Sequence, residues 1–506
     1  MPAGGEPAPP RGGEMNESTV VIVGAGPCGL ATAVELARRG IRVTVLEAAD
    51  ATADGTRAIL LWPYSLDLLD GLGLRTEADR RGVPISSLVC HTAPGTARRV
   101  PLGPFDAPLV LPQQETVALL KQELSEQGGT IEYGVRVTGL TDGPDAVTVT
   151  ARRADGSPAG WRASWLVGAD GVGSTVRRHL GIDFSGIPVS ETFLIAEGGL
   201  LGEFDTSAVH YHMARAGLML LSPLPGDQVR ISGALADGHG PVTPESAQRM
   251  LDERGPGGLR LTDVRQARSF TSQERVAATF RSGRCFLVGD AAHVHTPSGG
   301  QGLNLGLADV RNLTWKLAGV IDGSLDPVIL DTYDAERRPA AQQVVRATSR
   351  LTKSATLGPA AWRVRNLAMA AAHRTGGLAR FLVPVLSGRR VHYPNTLGLA
   401  GPERTRSKGL PRPGSRDPGW PLVHGPGTAG RFQLVSMGPA DGRMYRQAGK
   451  FAGGEPLVAH SHRITRGSGY VLLRPDGFVG AAGLEADFPR AAQAFARAPW
   501  HSAGHI

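Results

Sequence analysis

Residues 18–50 read "STVVIVGAGPCGLATAVELARRGIRVTVLEAAD", and the reading of this stretch decides the fold. Thr19–Val23 is a short apolar, β-branched run that predicts a buried strand. A helix is predicted over Pro27–Arg39, with proline at its first position and Gly40 ending it. Ile41–Glu47 predicts a second strand, so the stretch is a βαβ unit. Its first turn carries Gly24-Ala25-Gly26-Pro27-Cys28-Gly29, a full GxGxxG that follows a strand and opens a helix, the context the motif needs. Gly24 allows the tight turn, Gly26 lets backbone approach a pyrophosphate, and Gly29 lets helix and strand pack closely. Pro27 opens the helix whose free N–H groups and positive dipole face the phosphates. Glu47, closing the second strand, is placed to accept from ribose hydroxyls and would repel a 2′-phosphate. FAD and NAD both fit.

Working outward, the 506 residues imply two or three domains. From 50 to 180 helices (near 63–71 and 115–126) alternate with short strands (near 130–137 and 145–153), ending in "SWLVGAD". Residues 183–275 change character, with strand-length segments between turns, and predict a mostly antiparallel sheet inserted into the first domain as a substrate-binding domain. The chain then returns to the first domain at 276–392 through the buried strand "RCFLVGD", a long helix and a helical extension. Residues 393–417 are Pro/Gly/Arg-rich and read as a linker. Residues 418–506 form a small separate domain, with a hairpin predicted at Pro475-Asp476-Gly477. The Pro/Gly-rich residues 1–17 read as a disordered leader.

A net charge of +8 raises the question of nucleic acid, but the basic residues are almost all arginines, with only five lysines, and they are spread along the chain. The reading is no nucleic acid and no membrane, since no apolar run is long enough to span one. Three distant cysteines and no signal peptide point to a reducing cytoplasm. A monomer or homodimer is expected.

Two further segments separate FAD from NAD. In "GADGVGSTVRRHLG", Asp170 begins a turn and Ser174 caps a helix carrying Arg177. In "GDAAHVHTPSGGQGLN", Asp290 follows a strand, and Gly299, Gly300 and Gly302 lead into a helix. His293-x-His295 and His460-Ser461-His462 invite a metal, but neither has further ligands at metal spacing, and none is expected. Tyr211 and His212, in the inserted sheet, either line a pocket or pack on the sheet.

The order of these motifs resembles the class A FAD-dependent aromatic hydroxylases, the p-hydroxybenzoate hydroxylase-like flavoprotein monooxygenases. The appended tail is similar to that of the three-domain members acting on aromatic polyketides, rifamycins or phenols. The resemblance implies an α/β, Rossmann-like FAD-binding domain of that type, an inserted antiparallel substrate domain and a thioredoxin-like C-terminal domain. Asp290 would hold the ribitol and pyrophosphate region, Arg57 the FAD phosphates and Gln113 the flavin chain. Gly300 belongs to the close-approach loop, and Asp170 and Arg177 to a motif for FAD and NAD(P)H binding. Pro297 would lie beside the ring on the substrate side, and the Gly302-Leu303-Asn304 backbone would face its N1/C2=O edge. The implied reaction uses NADPH or NADH and O2 to hydroxylate a polycyclic aromatic polyketide through a C4a-hydroperoxyflavin. Baeyer–Villiger oxygenation of a related ketone and a non-catalytic flavin-binding role are the alternatives.

Overall fold

The computed structural model describes residues 15–499 apart from 51–57, 93–95, 188–190, 215–216, 236–239, 298, 356–358, 395, 400–409, 417–429, 439–441, 453–457 and 463–467. Strand β1 (Met15–Val23), helix α1 (Pro27–Ala37) and strand β2 (Val43–Leu46) form the expected βαβ unit, the strands pairing in parallel. β1 begins earlier than expected, and Met15–Glu17, read as leader, pair with Gly160–Arg162. Across the sheet the order is Arg281–Ser282, Cys285–Leu287, Pro158–Gly168, β1, β2 and Thr130–Glu132. Val20, Val21 and Ile22 are wholly buried because both faces of the strand are covered, which explains their unbroken apolar run.

A second sheet of seven strands forms the inserted unit. Five strands come from the expected segment: Thr192–Leu201, Ala208–Ala214, Gly217–Leu224, Gln228–Ala234 and Arg260–Thr271. The other two, Ser87–His91 and Ala97–Pro101, belong to the first half of the chain. Ser87–His91 joins Ala208–Ala214 in parallel, with His91 opposite His212. This pairing lies outside the boundaries read from sequence, because local periodicity carries no information on partners so far apart.

The C-terminal sheet has the order Val458–His462, Gln433–Met437, Gly469–Leu473, Val479–Leu484. The first pair is parallel and the others antiparallel, and the hairpin turns at 474–478 as expected. A buried ionic network ties it to the helix Gly302–Ile321. Glu336 accepts from Lys316 Nζ at 2.8 Å, Asn312 Nδ2 at 2.7 Å and the Arg474 guanidinium at 2.6 and 2.8 Å. Tyr393, read as the first residue of a solvated linker, is buried instead. Its hydroxyl accepts from Arg337 and its ring stacks on Phe478 at 3.8 Å.

Burial alone would raise the carboxyl of Glu336, but Arg474 and Lys316 outweigh it and hold the group below its usual range. The same contest at Asp309 is won by His293 and Arg337. A carboxylate lowered on folding contributes stability that is complete above the unfolded value of about 4 and lost as pH falls below it. Thermal scans at reduced pH are therefore expected to show the melting temperature falling by roughly 5 °C or more between about pH 6 and about pH 3. A flat profile over that interval would contradict the network.

Candidate active site

The glycine loop is built as its sequence requires. Gly24 takes φ +104°, and a Cβ there would stand 2.5 Å from the Ala169 carbonyl oxygen. A Cβ on Gly29 would stand 1.9 Å from the oxygen of Gly24, so the helix approaches the strand only because that atom is missing. A Cβ on Gly26 would meet nothing within 4 Å. The loop therefore has one open side, and it lies at the N-terminus of α1, where no side chain caps the helix. Glu47 leans against the loop, accepting from Ala25 N–H at 2.8 Å and Ala49 N–H at 2.9 Å.

Two other segments converge on the same point. The tight turn Gly289–Ala291 carries Asp290 on its exposed side. Cβ atoms on Gly289 and Gly306 would meet Cys28 Sγ at 2.8 and 2.5 Å, so α1, the turn and the helix Gly302–Ile321 touch one another at Cys28. The Asp170 turn braces this junction. Asp170 accepts from Ser174 Oγ (2.5 Å) and from the Thr175 and Val176 N–H groups (2.6 and 3.1 Å). Ser174 Oγ caps the following helix by accepting from Arg177 N–H, as expected. The Arg177 guanidinium donates to the carbonyls of Ala291 and Val172 at 2.8 and 2.7 Å and stacks on Phe184. Arg177 thus holds the Asp290 turn in place from behind.

Gly299 and Gly300 take φ +131° and +62°, and a Cβ on Gly300 would crowd Leu60 at 3.1 Å. Pro297, half-buried, accepts from Gly300 N–H at 3.1 Å. The first bond within the helix is Leu305 N–H to Gln301 O, so the N–H groups of Gly302, Leu303 and Asn304 have no partner inside it. No side chain caps this helix either. The Asn304 side chain is spent elsewhere, accepting from Trp62 N–H and Ser65 Oγ and donating to the carbonyls of Leu60 and Gly300. Its contribution to a ligand is confined to backbone. Gln113 is fastened to Ala58: its Oε1 accepts from Ala58 N–H, and its backbone N–H donates to Ala58 O. Arg57 lies outside the described residues.

The histidines behave differently from one another. His293 Nε2 pairs with buried Asp309 at 2.6 Å, and Asp309 also accepts from Gly289 N–H and Arg337. His295 donates Nδ1–H to Thr296 O at 2.7 Å, which leaves a lone pair on Nε2. That nitrogen is buried without a partner, 3.9 Å from where a Cβ on Gly302 would be. Burial pushes His295 down to about 4, so the ring is neutral near pH 7. The His293-x-His295 spacing in the sequence gives no sign of this difference. The side chains of His460 and His462 lie outside the described residues.

These features fit a dinucleotide: an open glycine face, two uncapped helix N-termini converging on it, and an orphaned polar nitrogen beside the second. A family model described as "FAD binding domain" matches residues 17–348. A 12-dehydrotetracycline 5-monooxygenase/anhydrotetracycline 6-monooxygenase of Streptomyces rimosus is 35% identical over 498 residues, 91% of this chain and 94% of that protein. The chain belongs to the class A flavin monooxygenases. A rifampicin monooxygenase of Streptomyces venezuelae is also similar, at 32% identity over 92% of this chain and 95% of its own. The solved structure of the anhydrotetracycline hydroxylase OxyS from Streptomyces rimosus superposes with a TM-score of 0.75 at 30% identity, covering 96% of this chain and 99% of that one. As a member of this family the chain carries an FAD-binding domain. Among its described residues no helix is long and apolar enough to cross a membrane.

The two residues expected at the substrate separate. On the strand Ala208–Ala214 neighbours point to opposite faces. Tyr211 packs toward Leu60, Trp62, Val209 and Leu386, on the side of the 299–302 loop. His212 points to the other face with Met219, its cross-strand neighbour, so it does not line the flavin side. Strand alternation in the sequence already forbade both from sharing a face.

Proposed function

We propose that the protein is an NAD(P)H- and O2-dependent hydroxylase of a polycyclic aromatic polyketide. The open Gly26 face, the Asp290 turn that meets α1 at Cys28, and the N–H groups of 302–304, which have no partner within their own helix, together carry the reading. When bound, FAD supplies hydride acceptance and oxygen activation. The chain supplies the rest. The α1 terminus and Gly26 receive pyrophosphate, Glu47 the ribose, and Asp290 the ribitol region; Arg57 and Gln113 are assigned the phosphates and the flavin chain. The N–H groups of 302–304, at the positive end of a helix, stabilise negative charge on the N1/C2=O edge. Pro297 walls the substrate side. The buried apolar surround of Leu60, Trp62 and Leu386 would keep water away from the reacting atoms when the cofactor is bound. Polyketide specificity is drawn from the relatives named above, over nearly the full chain.

Tyr211 is assigned to the substrate. Its hydroxyl is buried with no partner, and burial raises its pKa, so it stays protonated and can donate to a substrate oxygen. Tyr211→Phe is expected to raise KM for the aromatic substrate by roughly tenfold with flavin content unchanged. Equal KM values in the two proteins would remove this residue from the pocket. Asp290→Ala is expected to weaken FAD retention by roughly tenfold, and His295→Ala by much less, measured as flavin released on gel filtration. The reverse order would move the cofactor grip to the histidine.

The C-terminal domain is assigned a thioredoxin-like fold. The order of its elements (strand, helix, parallel strand, then an antiparallel hairpin and helix) supports this. NADPH or NADH serves as donor, and the protein acts in the cytoplasm. Purified protein mixed with anhydrotetracycline tests the function: substrate-dependent NAD(P)H oxidation with a hydroxylated product is expected. An ester product would transfer the reading to Baeyer–Villiger chemistry, and a protein isolated without flavin would end it.

A further inference from the structure

On the face of the seven-stranded sheet opposite Tyr211, three imidazoles meet. His91 ends the strand Ser87–His91, and His210 and His212 stand two apart on Ala208–Ala214, beside it in parallel register. His91 Nε2 lies 3.0 Å from His210 Nδ1. The His91 and His212 rings stack at 4.2 Å with planes 6° apart. One ring nitrogen from each residue can be chosen so that no pair is further apart than 4.8 Å. We propose that His91, His210 and His212 form a binding site for one Zn2+ ion, with water as the fourth ligand, that clamps the parallel seam between the first half of the chain and the inserted sheet.

Three observations support this. The first is spacing: on a tetrahedral Zn2+ with bonds of about 2.0–2.1 Å, neighbouring nitrogens stand about 3.3 Å apart. His91 Nε2 and His210 Nδ1, now 3.0 Å apart in a hydrogen bond, need to part by only a few tenths of an ångström, and His91 is half-exposed, so its ring can turn to close on the third nitrogen. The second is tautomer control. His210 Nε2–H donates to the Asp205 carbonyl at 3.1 Å, which leaves its Nδ1 lone pair facing His91. A backbone carbonyl commonly orients a metal-bound histidine in this way. The third is an orphan: His212 is only 3% exposed, and its Nε2 has no hydrogen-bond partner among the described residues. A buried polar atom left unsatisfied costs about 1–3 kcal/mol, and a metal bond removes that cost.

The seam explains what an ion would do there. Within the sheet, Ser87–His91 and Ala97–Pro101 join the inserted strands through the pairing of His91's strand with His212's, across more than a hundred residues of chain, and Arg99 adds an ion pair to Asp205. A cross-link at that seam fixes the hairpin whose other face adjoins Tyr211. The site is independent of the flavin grip, and nothing in it requires the hydroxylase reading.

The test uses untagged, flavin-bearing, full-length protein stripped with chelator and then titrated with Zn2+ alone. One Zn2+ per chain is expected, raising the melting temperature. His212→Gln and His91→Gln are expected to lower the affinity at least tenfold while flavin content stays at the level of the unaltered protein. No stoichiometric binding, or equal binding by the variants, would overturn the site. If a variant does not fold, Co2+ titration of the unaltered protein decides. Intense d–d bands of a tetrahedral ion support the site, and the weak spectrum of a six-coordinate aqua ion overturns it.

Discussion

Gly26→Val is expected to give a folded protein that is isolated without flavin. Gly26 has φ −71°, which any residue adopts, and a Cβ there meets nothing within 4 Å. The added side chain fills only the space into which a pyrophosphate must come. Losing the charge-assisted hydrogen bonds of that contact amounts to ~3 kcal/mol or more, a fall in FAD affinity of at least ~100-fold. Gly29→Ala should behave differently. Its Cβ would collide with the Gly24 carbonyl at 1.9 Å, so α1 must move off the sheet and stability falls together with cofactor binding. Flavin absorbance per chain, read beside a melting curve, separates the two. If Gly26→Val protein retains flavin as the unaltered protein does, the open side of the loop is not the phosphate site.

Glu336→Ala is expected to have the largest effect on stability among single substitutions outside the flavin site. Glu336 is fully buried and is bonded to Lys316, Asn312 and Arg474. Its loss takes from buried Lys316 its carboxylate partner and leaves Arg474 with Asp476 alone, for which the cost is about 3–5 kcal/mol. Burial already pushes Lys316 down to about 8 against the pull of Glu336, so without that partner the ammonium has still less reason to stay charged. Glu485→Ala is the contrast. Its pair with Arg443 is long, at 3.6 Å, and Arg443 is largely exposed. Exposed pairs contribute about 0–1 kcal/mol, so little change is expected. Urea unfolding of both variants gives the comparison. Equal midpoints would mean that the network does not anchor the C-terminal domain.

The parts of this molecule legible in the sequence are those set by local rules. The βαβ unit, its glycines, Glu47, the Ser174 cap and the Pro475-Asp476-Gly477 turn depend on residues within a few positions of one another. What was not legible depends on distant pairing. Ser87–His91 carries no mark that it will join a strand ending at Ala214, so neither the seven-stranded sheet nor the His91–His210–His212 group follows from spacing. The sequence shows His-x-His twice in the segments first weighed for metal. The group in the structure draws two histidines from a third such pair and the last from far upstream. Asn304 shows a different limit: the resemblance assigns it through its backbone, and that four hydrogen bonds commit its side chain to the scaffold is visible only in the folded chain. Tyr393 shows a third, since a Pro/Gly/Arg-rich composition marks a linker without showing which of its residues are buried beneath the next domain.

The central claim is that this flavin site activates O2 and delivers one oxygen atom to an aromatic substrate. The most direct measurement is turnover under isotopically labelled O2 in unlabelled water, with anhydrotetracycline and NADPH, followed by mass spectrometry of the product. One labelled oxygen on a ring carbon per product molecule is expected. A product whose new oxygen comes from water, or NADPH consumption that yields only hydrogen peroxide with every aromatic polyketide tried, would contradict it.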